Sequence, residues 1–424
     1  MSTAREHGDL SPELDAAFAW QLLQGRDRTV NAFALPGGYF GIHLGLVGVV
    51  SSKDELASVL AHELSHVTQR HIARLIGRQS EQTPLLIGAM ILGALAASTN
   101  PAGANAVIVG GQAVAAQSQL NFSRDMEREA DRAGFEVATK AGFSPGAFVS
   151  MFEKLQQTNR NNDAGNFPYL RSHPLTTERI ADMKSRISDG ADMSPRGSFE
   201  HSMVSARARL LSNANVDGLR NWSAEAESSA LSKLTPHQQA GVLYGAMLAA
   251  VKLREFDRAE NYGVALKKLI VDDVDAARQW RYLSAELALA AGRPADALWA
   301  LDQAAPPKTR AELLMWAQIQ TQLGRPDAAA DAAQLWVLDN PVDAAMWQAL
   351  AGARAAQGRI VASVRAEAEV NAAQLDYPSA VARLKAAQAL SKSNAQPADL
   401  IEASIVDVRL RQIEQLLREQ AVER

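Results

Sequence analysis

The 424-residue sequence contains no cysteine. Disulfides, thiolate zinc sites and a cysteine nucleophile are therefore excluded. The compartment stays open, because cysteine-free proteins occur in both the cytosol and the periplasm. Concentrated positive charge is missing too: the formal net charge is −4, and no Lys/Arg block offers the footprint that nucleic acid requires. The longest apolar run, Leu85 to Ala97, has 13 residues, short of the ~20 needed to cross a bilayer. It reads as a buried or interface-seeking helix, with peripheral membrane or partner contact as the further expectation. The opening residues, MSTAREHGDLSPELDAA, show no basic region followed by an apolar one, so no signal peptide is visible.

The composition is that of a folded protein, 47% hydrophobic and 21% charged, in a chain too long for one ordinary core. Two domains are expected, 1–190 and 191–424. Residues 17–50 read as β structure. Phe18–Leu23 and Thr29–Ala34 are read as a hairpin about the Gly25–Arg28 turn, and Tyr39–Leu44 as a further extended segment after Pro36-Gly37-Gly38. Ser52-Lys-Asp-Glu55 is a capping box that opens a helix at about Lys53. A second helical stretch runs from about Ala104 to Gly142, and 159–174, rich in Asn, Gly and Pro, reads as a loop. Beyond about residue 200 the strand signals stop and Ala-rich helices take over. Gly292-Arg-Pro, Gly324-Arg-Pro and Gly358-Arg-Ile recur at spacings of 32 and 34 residues, with Trp280, Trp316 and Trp347 at similar offsets before them. Arg254–Ala259 resembles a degenerate first copy. The period is that of tetratricopeptide repeats, so an all-α solenoid of stacked helical hairpins is expected.

The chemistry concentrates in His62-Glu63-Leu64-Ser65-His66. On a helix, residues four apart share a face, so His62 and His66 can ligate one zinc ion. Glu63 then flanks the metal and can act as general base on a water whose pKa zinc lowers to roughly 7. A catalytic zinc takes three protein ligands and keeps one position open. The third ligand could be a following histidine or a carboxylate from another helix. His71 lies roughly 140° further round the helix from His66 and is expected to point away. Glu127-Arg-Glu-Ala-Asp131 is the better source: Glu127 and Asp131 share a face, with Glu129 on the other side. Glu127 is suited to ligation, and Asp131 to accepting the N–H of a ligand imidazole.

HELSH, the downstream E-x-E-A-D, the upstream Asn31-Ala-Phe-Ala-Leu-Pro-Gly-Gly-Tyr39 and the later Ser172-His-Pro-Leu-Thr176 stand in the order seen in one family. The chain thereby resembles the HtpX/CAAX-prenyl-protease family of gluzincin metallopeptidases. The resemblance implies an α+β zincin-type domain, helices plus a small sheet. It makes His62, His66 and Glu127 the ligands of one Zn2+, Glu63 the general base, and Asp131 a support behind the ligands. His173 matches a loop histidine able to approach the metal and keep the site latent, and Arg179 an arginine near the substrate.

The Pro36–Leu44 segment suits an active-site edge strand to which an unfolded substrate adds by main-chain hydrogen bonds. Gly38, Tyr39 and Phe40, with Asn31, are the substrate-contact candidates. Family members with repeat tails are periplasmic proteases and chaperones of outer-membrane protein assembly. The implied partners are misassembled polypeptide substrates and, through the repeats, the assembly machinery. Such precursors begin with a signal peptide, so the resemblance implies a truncated or mis-assigned start. The competing expectation is an adaptor or chaperone whose repeat surface does the work while the zinc site is latent or structural.

Overall fold

The computed structural model describes residues 2–6, 10–35, 37–78, 123–160, 168–187, 197–301, 307, 309–393 and 397–422. The 85–97 run and residues 104–122 of the second helical stretch lie outside them. The chain divides into two compact units, Met1–Ala249 with Lys268–Ala276, and Ala250–Lys267 with Ala277–Arg424. No helix among the described residues is long and apolar enough to cross a membrane.

In the first unit, two short helices, α1 (Ser2–Glu6) and α2 (Pro12–Ala17), precede the strands β1 (Gln21–Gly25), β2 (Ala32–Leu35) and β3 (Tyr39–His43). The expected hairpin of the first two extended segments is not formed. The sheet order is β1-β3-β2, with β1 parallel and β2 antiparallel to β3. This overturns the edge-strand expectation for Pro36–Leu44: β3 is central, and its main chain is committed on both sides. Gly37 and Gly38 adopt φ of 85° and 83°, and their carbonyls accept from Ala19 and Gln21. The left-handed conformation that glycine allows there turns the chain back after β2.

The β reading of 17–50 also fails at its end. Leu44–Val49 is a helix, α3, with Leu44, Leu46 and Val47 buried. A short apolar run does not distinguish a buried strand from a buried helix by period. Gly45 is required here, since a Cβ would meet the Arg28 carbonyl oxygen at 2.0 Å.

The helix α4 (Lys53–Thr68) starts where the capping box places it. Ser52 Oγ accepts from the Glu55 N–H at 3.1 Å, and Glu55 Oε2 accepts from the Ser51 N–H at 2.6 Å. Glu55 is buried, and it also pairs with Lys154 and accepts from Ser150 Oγ on α7 (Gly146–Arg160), tying α4 to that helix. After Thr68, Arg70 takes φ of 56°, ending α4, and a separate helix α5 follows over 71–78. Helix α6 (123–140) closes on a left-handed Gly142, φ 88°, with the Phe143 N–H bonded to the Ala138 carbonyl. Part of the expected 159–174 loop is the short helix α8 (Pro168–Ser172). Thr176 caps α9 (Thr177–Ser185), its Oγ1 accepting from the Arg179 N–H. Helix α10 (Phe199–Ser212) packs on α3, with His201 Nε2 donating to the Val50 carbonyl at 2.9 Å. Helices α11 (Val216–Glu227) and α12 (Pro236–Leu253) follow.

The second unit is wholly helical among its described residues. It comprises most of α13 (Phe256–Leu269) and α14 (Val274–Ala290), then α15 (Pro294–Leu301), α16 (Arg310–Gln322), α17 (Pro326–Asp339), α18 (Ala344–Ala356), α19 (Ile360–Ala373), α20 (Tyr377–Ser393) and α21 (Pro397–Val422). From α15 to α21 each helix packs against the next. Gly292, Gly324 and Gly358, at φ of 73°, 72° and 75°, each sit at a helix end closed by a bond from the following N–H five residues back. Arg254, which opens the segment expected to be a degenerate first copy, and Leu375 occupy the same turn at φ of 62° and 61° without a glycine. Trp316 and Trp347 are buried among alanines such as Ala317, Ala330 and Ala333.

Candidate metal centre

Three helices and one loop build the site. One face of α4 carries His62, Glu63 and His66. Helix α6 brings Glu127 and Asp131 against it, and the two backbones approach closely: a Cβ on Gly134 would lie 2.9 Å from the His62 nitrogen and 3.0 Å from the Ala61 carbonyl carbon. His173 follows α8 directly, its N–H bonded to the Tyr169 carbonyl, and its ring stacks on the buried Tyr169 at 4.7 Å. Arg179 comes from α9.

Donor atoms of His62, His66, Glu127 and His173 all lie within 4.8 Å of one another. His62 Nε2 is 3.0 Å from His66 Nε2 and 3.3 Å from His173 Nδ1. Glu127 reaches His62 Nε2 at 3.4 Å, His66 Nε2 at 3.5 Å and His173 Nδ1 at 3.0 Å. Glu63 Oε1 lies 3.4 Å from His173 Nε2, and it is buried without a hydrogen bond. Behind the donors, Asp131 Oδ1 stands 2.9 Å from His62 Nδ1. Arg179 grips Asp131 with two bonds, Nε to Oδ2 at 2.6 Å and Nη2 to Oδ1 at 2.7 Å. Its Nη1 lies 2.9 Å from Glu127 Oε2 and donates to the Pro174 carbonyl, and the guanidinium sits over the Phe152 ring.

Charge follows from these contacts. Burial opposes a charge on His62, but hydrogen bonds to Asp131 and Glu127 push its pKa up to about 10. Burial, then the adjacent His62, pushes His66 down to about 2. Burial acts against the charged forms of Glu127 and Asp131 as well. Bonds from His173 and His62 nevertheless hold Glu127 well below the usual carboxylate range, and bonds from Arg179 and His62 do the same for Asp131.

The arrangement fits a divalent metal ion. Imidazole nitrogens crowded within 3.0 to 3.3 Å of one another beside a carboxylate can be held together by a cation between them, and the donor set of nitrogen and carboxylate oxygen is one zinc uses. His62, His66, Glu127 and His173 would hold it, with Asp131 fixing the His62 ring from behind.

The other sequence candidates sit differently. Gly38 is buried. Tyr39 pairs with Gln21 and Leu35, and Phe40 with Leu22 and Ala34 in the sheet, with the Phe40 ring stacked on Trp20. Asn31, half-buried before β2, accepts from the His43 N–H. Among the described residues β2 pairs only with β3, so its outer edge is open, and β2 packs against α4.

His71 is not among the clustered donors, in line with the expectation, but its ring does not point away from His66. Because Arg70 breaks the helix, the His71 ring returns to His66, Nδ1 to Nδ1 at 2.9 Å, and its Nε2 lies 3.3 Å from Glu129 Oε2. No Gly or Pro marks that break in the sequence, so no local signal foretold it.

Residues 13–187 match Peptidase family M48. This stretch of the chain is a zinc metallopeptidase domain of that family, as the motif resemblance implied. Among its relatives, the beta-barrel assembly-enhancing protease of Escherichia coli K12 is 29% identical over 91% of this chain and 77% of its own length. A Vibrio cholerae serotype O1 protein provisionally given the same name is 36% identical over 55% of this chain, which spans about half of it, 48%. The mitochondrial metalloendopeptidase OMA1 of Saccharomyces cerevisiae is 28% identical over 44% of this chain and 54% of its own.

Proposed function

We propose that the protein is an endopeptidase for exposed segments of unfolded or misassembled polypeptides, outer-membrane proteins among them, with a site held latent by His173. The observation that carries the reading is the convergence of His62, His66 and Glu127 with a buried Glu63 beside them whose Oε1 makes no hydrogen bond. Zinc at such a site supplies Lewis-acid polarisation and lowers the pKa of water to roughly 7. Glu63 takes the proton of the attacking water and delivers it to the leaving amine. Asp131 and Arg179 keep the ligands oriented.

Substrate adds as a strand along the open edge of β2, where main-chain hydrogen bonds tolerate varied side chains. The peptidase domain is read as 1–190 and the tetratricopeptide-repeat domain as 191–424, with the repeats docking on the outer-membrane assembly machinery in the periplasm. The helical hairpins and their recurring left-handed turns support the repeat reading. The names of the Escherichia coli and Vibrio relatives support the assembly role.

The test is Glu63→Gln in the zinc-loaded protein with casein as unfolded substrate. Proteolysis falls at least ~100-fold while zinc stays bound. Undiminished cleavage would falsify the mechanism.

A second reading, a chaperone or adaptor with an inert zinc site, is favoured by one observation: His173 makes a fourth donor, and closed four-ligand sites are structural. His173→Ala separates the two. The gated enzyme digests casein faster than the parent once the fourth donor is gone. If neither form cuts, the adaptor reading prevails.

A further inference from the structure

His66 is oriented by a hydrogen-bonded chain that uses none of the expected supporting residues. His62 has Asp131 behind its Nδ1. His66 has His71, buried at 2% exposure, at 2.9 Å from its Nδ1. Beyond His71 stands Glu129 Oε2, which also takes Arg74 Nη1 at 2.8 Å.

The direction of each proton follows from chemistry. An imidazole that ligates through Nε2 keeps its lone pair there and carries its proton on Nδ1. His66 Nε2 points into the donor cluster, so His66 Nδ1–H must donate, and His71 Nδ1 must accept. A neutral His71 then carries its proton on Nε2, which faces a carboxylate that can only accept. Every link is satisfied in one sense alone.

We infer that His71 and Glu129 are positioning residues that lock His66 in its metal-binding tautomer and orientation. This gives the second ligand histidine a support of different make from the Asp131 behind the first. The inference rests on His66 ligating zinc. It accounts for two sequence features outside the catalytic reading, the histidine five residues after His66 and the middle residue, Glu129, of Glu127-Arg-Glu-Ala-Asp131.

The test measures zinc affinity of the full chain by competition with a chromophoric chelator, with melting of the metal-free protein recorded beside it. His71→Phe removes the acceptor but keeps the bulk, and is expected to weaken zinc binding roughly 10- to 100-fold. His71→Asn puts an amide oxygen near the Nδ1 position and should restore affinity to within about threefold of the parent. Glu129→Leu, at a partly exposed position, should weaken binding by roughly threefold or more.

Parent-like affinity in a folded His71→Phe would overturn the inference, as would an Asn variant as weak as the Phe variant. If His71→Phe does not fold, Glu129→Leu decides: weakened binding supports the chain and unchanged binding sinks it. A parent that binds no zinc would instead overturn the metal site itself.

Discussion

The two units bury different things. In the first, Glu63, Glu127, Asp131, His62, His173 and Arg179 are each no more than 9% exposed and are packed against one another. In the second, the interior is largely alanine with larger apolar side chains and tryptophan, and its buried charges, Arg365 and Glu369, each stand in a separate pair, with Glu402 and Arg409. Members of a buried ionic cluster depend on one another, because an orphaned charge costs far more than a lost apolar contact. Isolated pairs in an alanine-lined stack couple two residues at a time rather than six. The first unit should therefore respond to single substitutions as a network, and the second as a set of small local terms.

The largest expected break lies at Arg179. Arg179→Met leaves Asp131 and Glu127 without their cation and should destabilise the first unit by about 3–5 kcal/mol, read as a shift in its calorimetric transition. Arg179→Lys should recover little, since the two-pronged grip on Asp131 needs a guanidinium. Parent-like melting of the Met variant would erase the contrast between the units.

Next come paired glycine substitutions. Gly134→Val drives a side chain into the α4 backbone, costing about 1–3 kcal/mol and loosening zinc binding. Gly352→Ala lies in α18 with open space around it, so it should stabilise the second unit by about 0.5–1 kcal/mol. Equal signs in the two melts would contradict the contrast.

The smallest effect concerns Asp343, which caps α18 and holds Arg310 at 2.7 Å and Trp336 at 3.0 Å. Burial works against its charge, but the Arg310 bonds hold its pKa below the ordinary carboxylate value. Its contribution is therefore complete above that ordinary value and disappears as pH falls through the depressed one. Asp343→Asn keeps a capping oxygen and should lose only about 0.5 kcal/mol at neutral pH, since Arg310 is half exposed. The gap between parent and variant melts should close below roughly pH 4. A gap that widens in acid would refute the assignment.

The parts of the site legible in the sequence were those set by helical spacing. His62, His66, Glu127 and Asp131 could be placed on faces because four-residue steps on an uninterrupted helix leave little freedom. The capping box at Ser52 and the glycine-marked turns at 292, 324 and 358 were legible for the same local reason. What sequence reading missed was non-local or conformationally unmarked. Inserting β3 between β1 and β2 depends on which edge the chain returns to, which side-chain alternation does not encode. The left-handed Arg70 redirects His71 with no glycine to announce it.

The burial of Glu63 beside the packing of Arg179 against Glu127 and Asp131 has an electrostatic consequence for ion choice. Three buried carboxylates stand with one buried guanidinium, so the pocket carries two surplus negative charges when the carboxylates are ionised and the histidines are neutral, as metal ligation requires. One divalent cation makes it neutral, whereas a monovalent ion leaves a charge stranded in a low-dielectric interior, where it is costly. Electroneutrality therefore selects ion valence before coordination geometry selects among the divalent metals. A substitution such as Glu63→Gln changes that balance by one unit as well as removing a base.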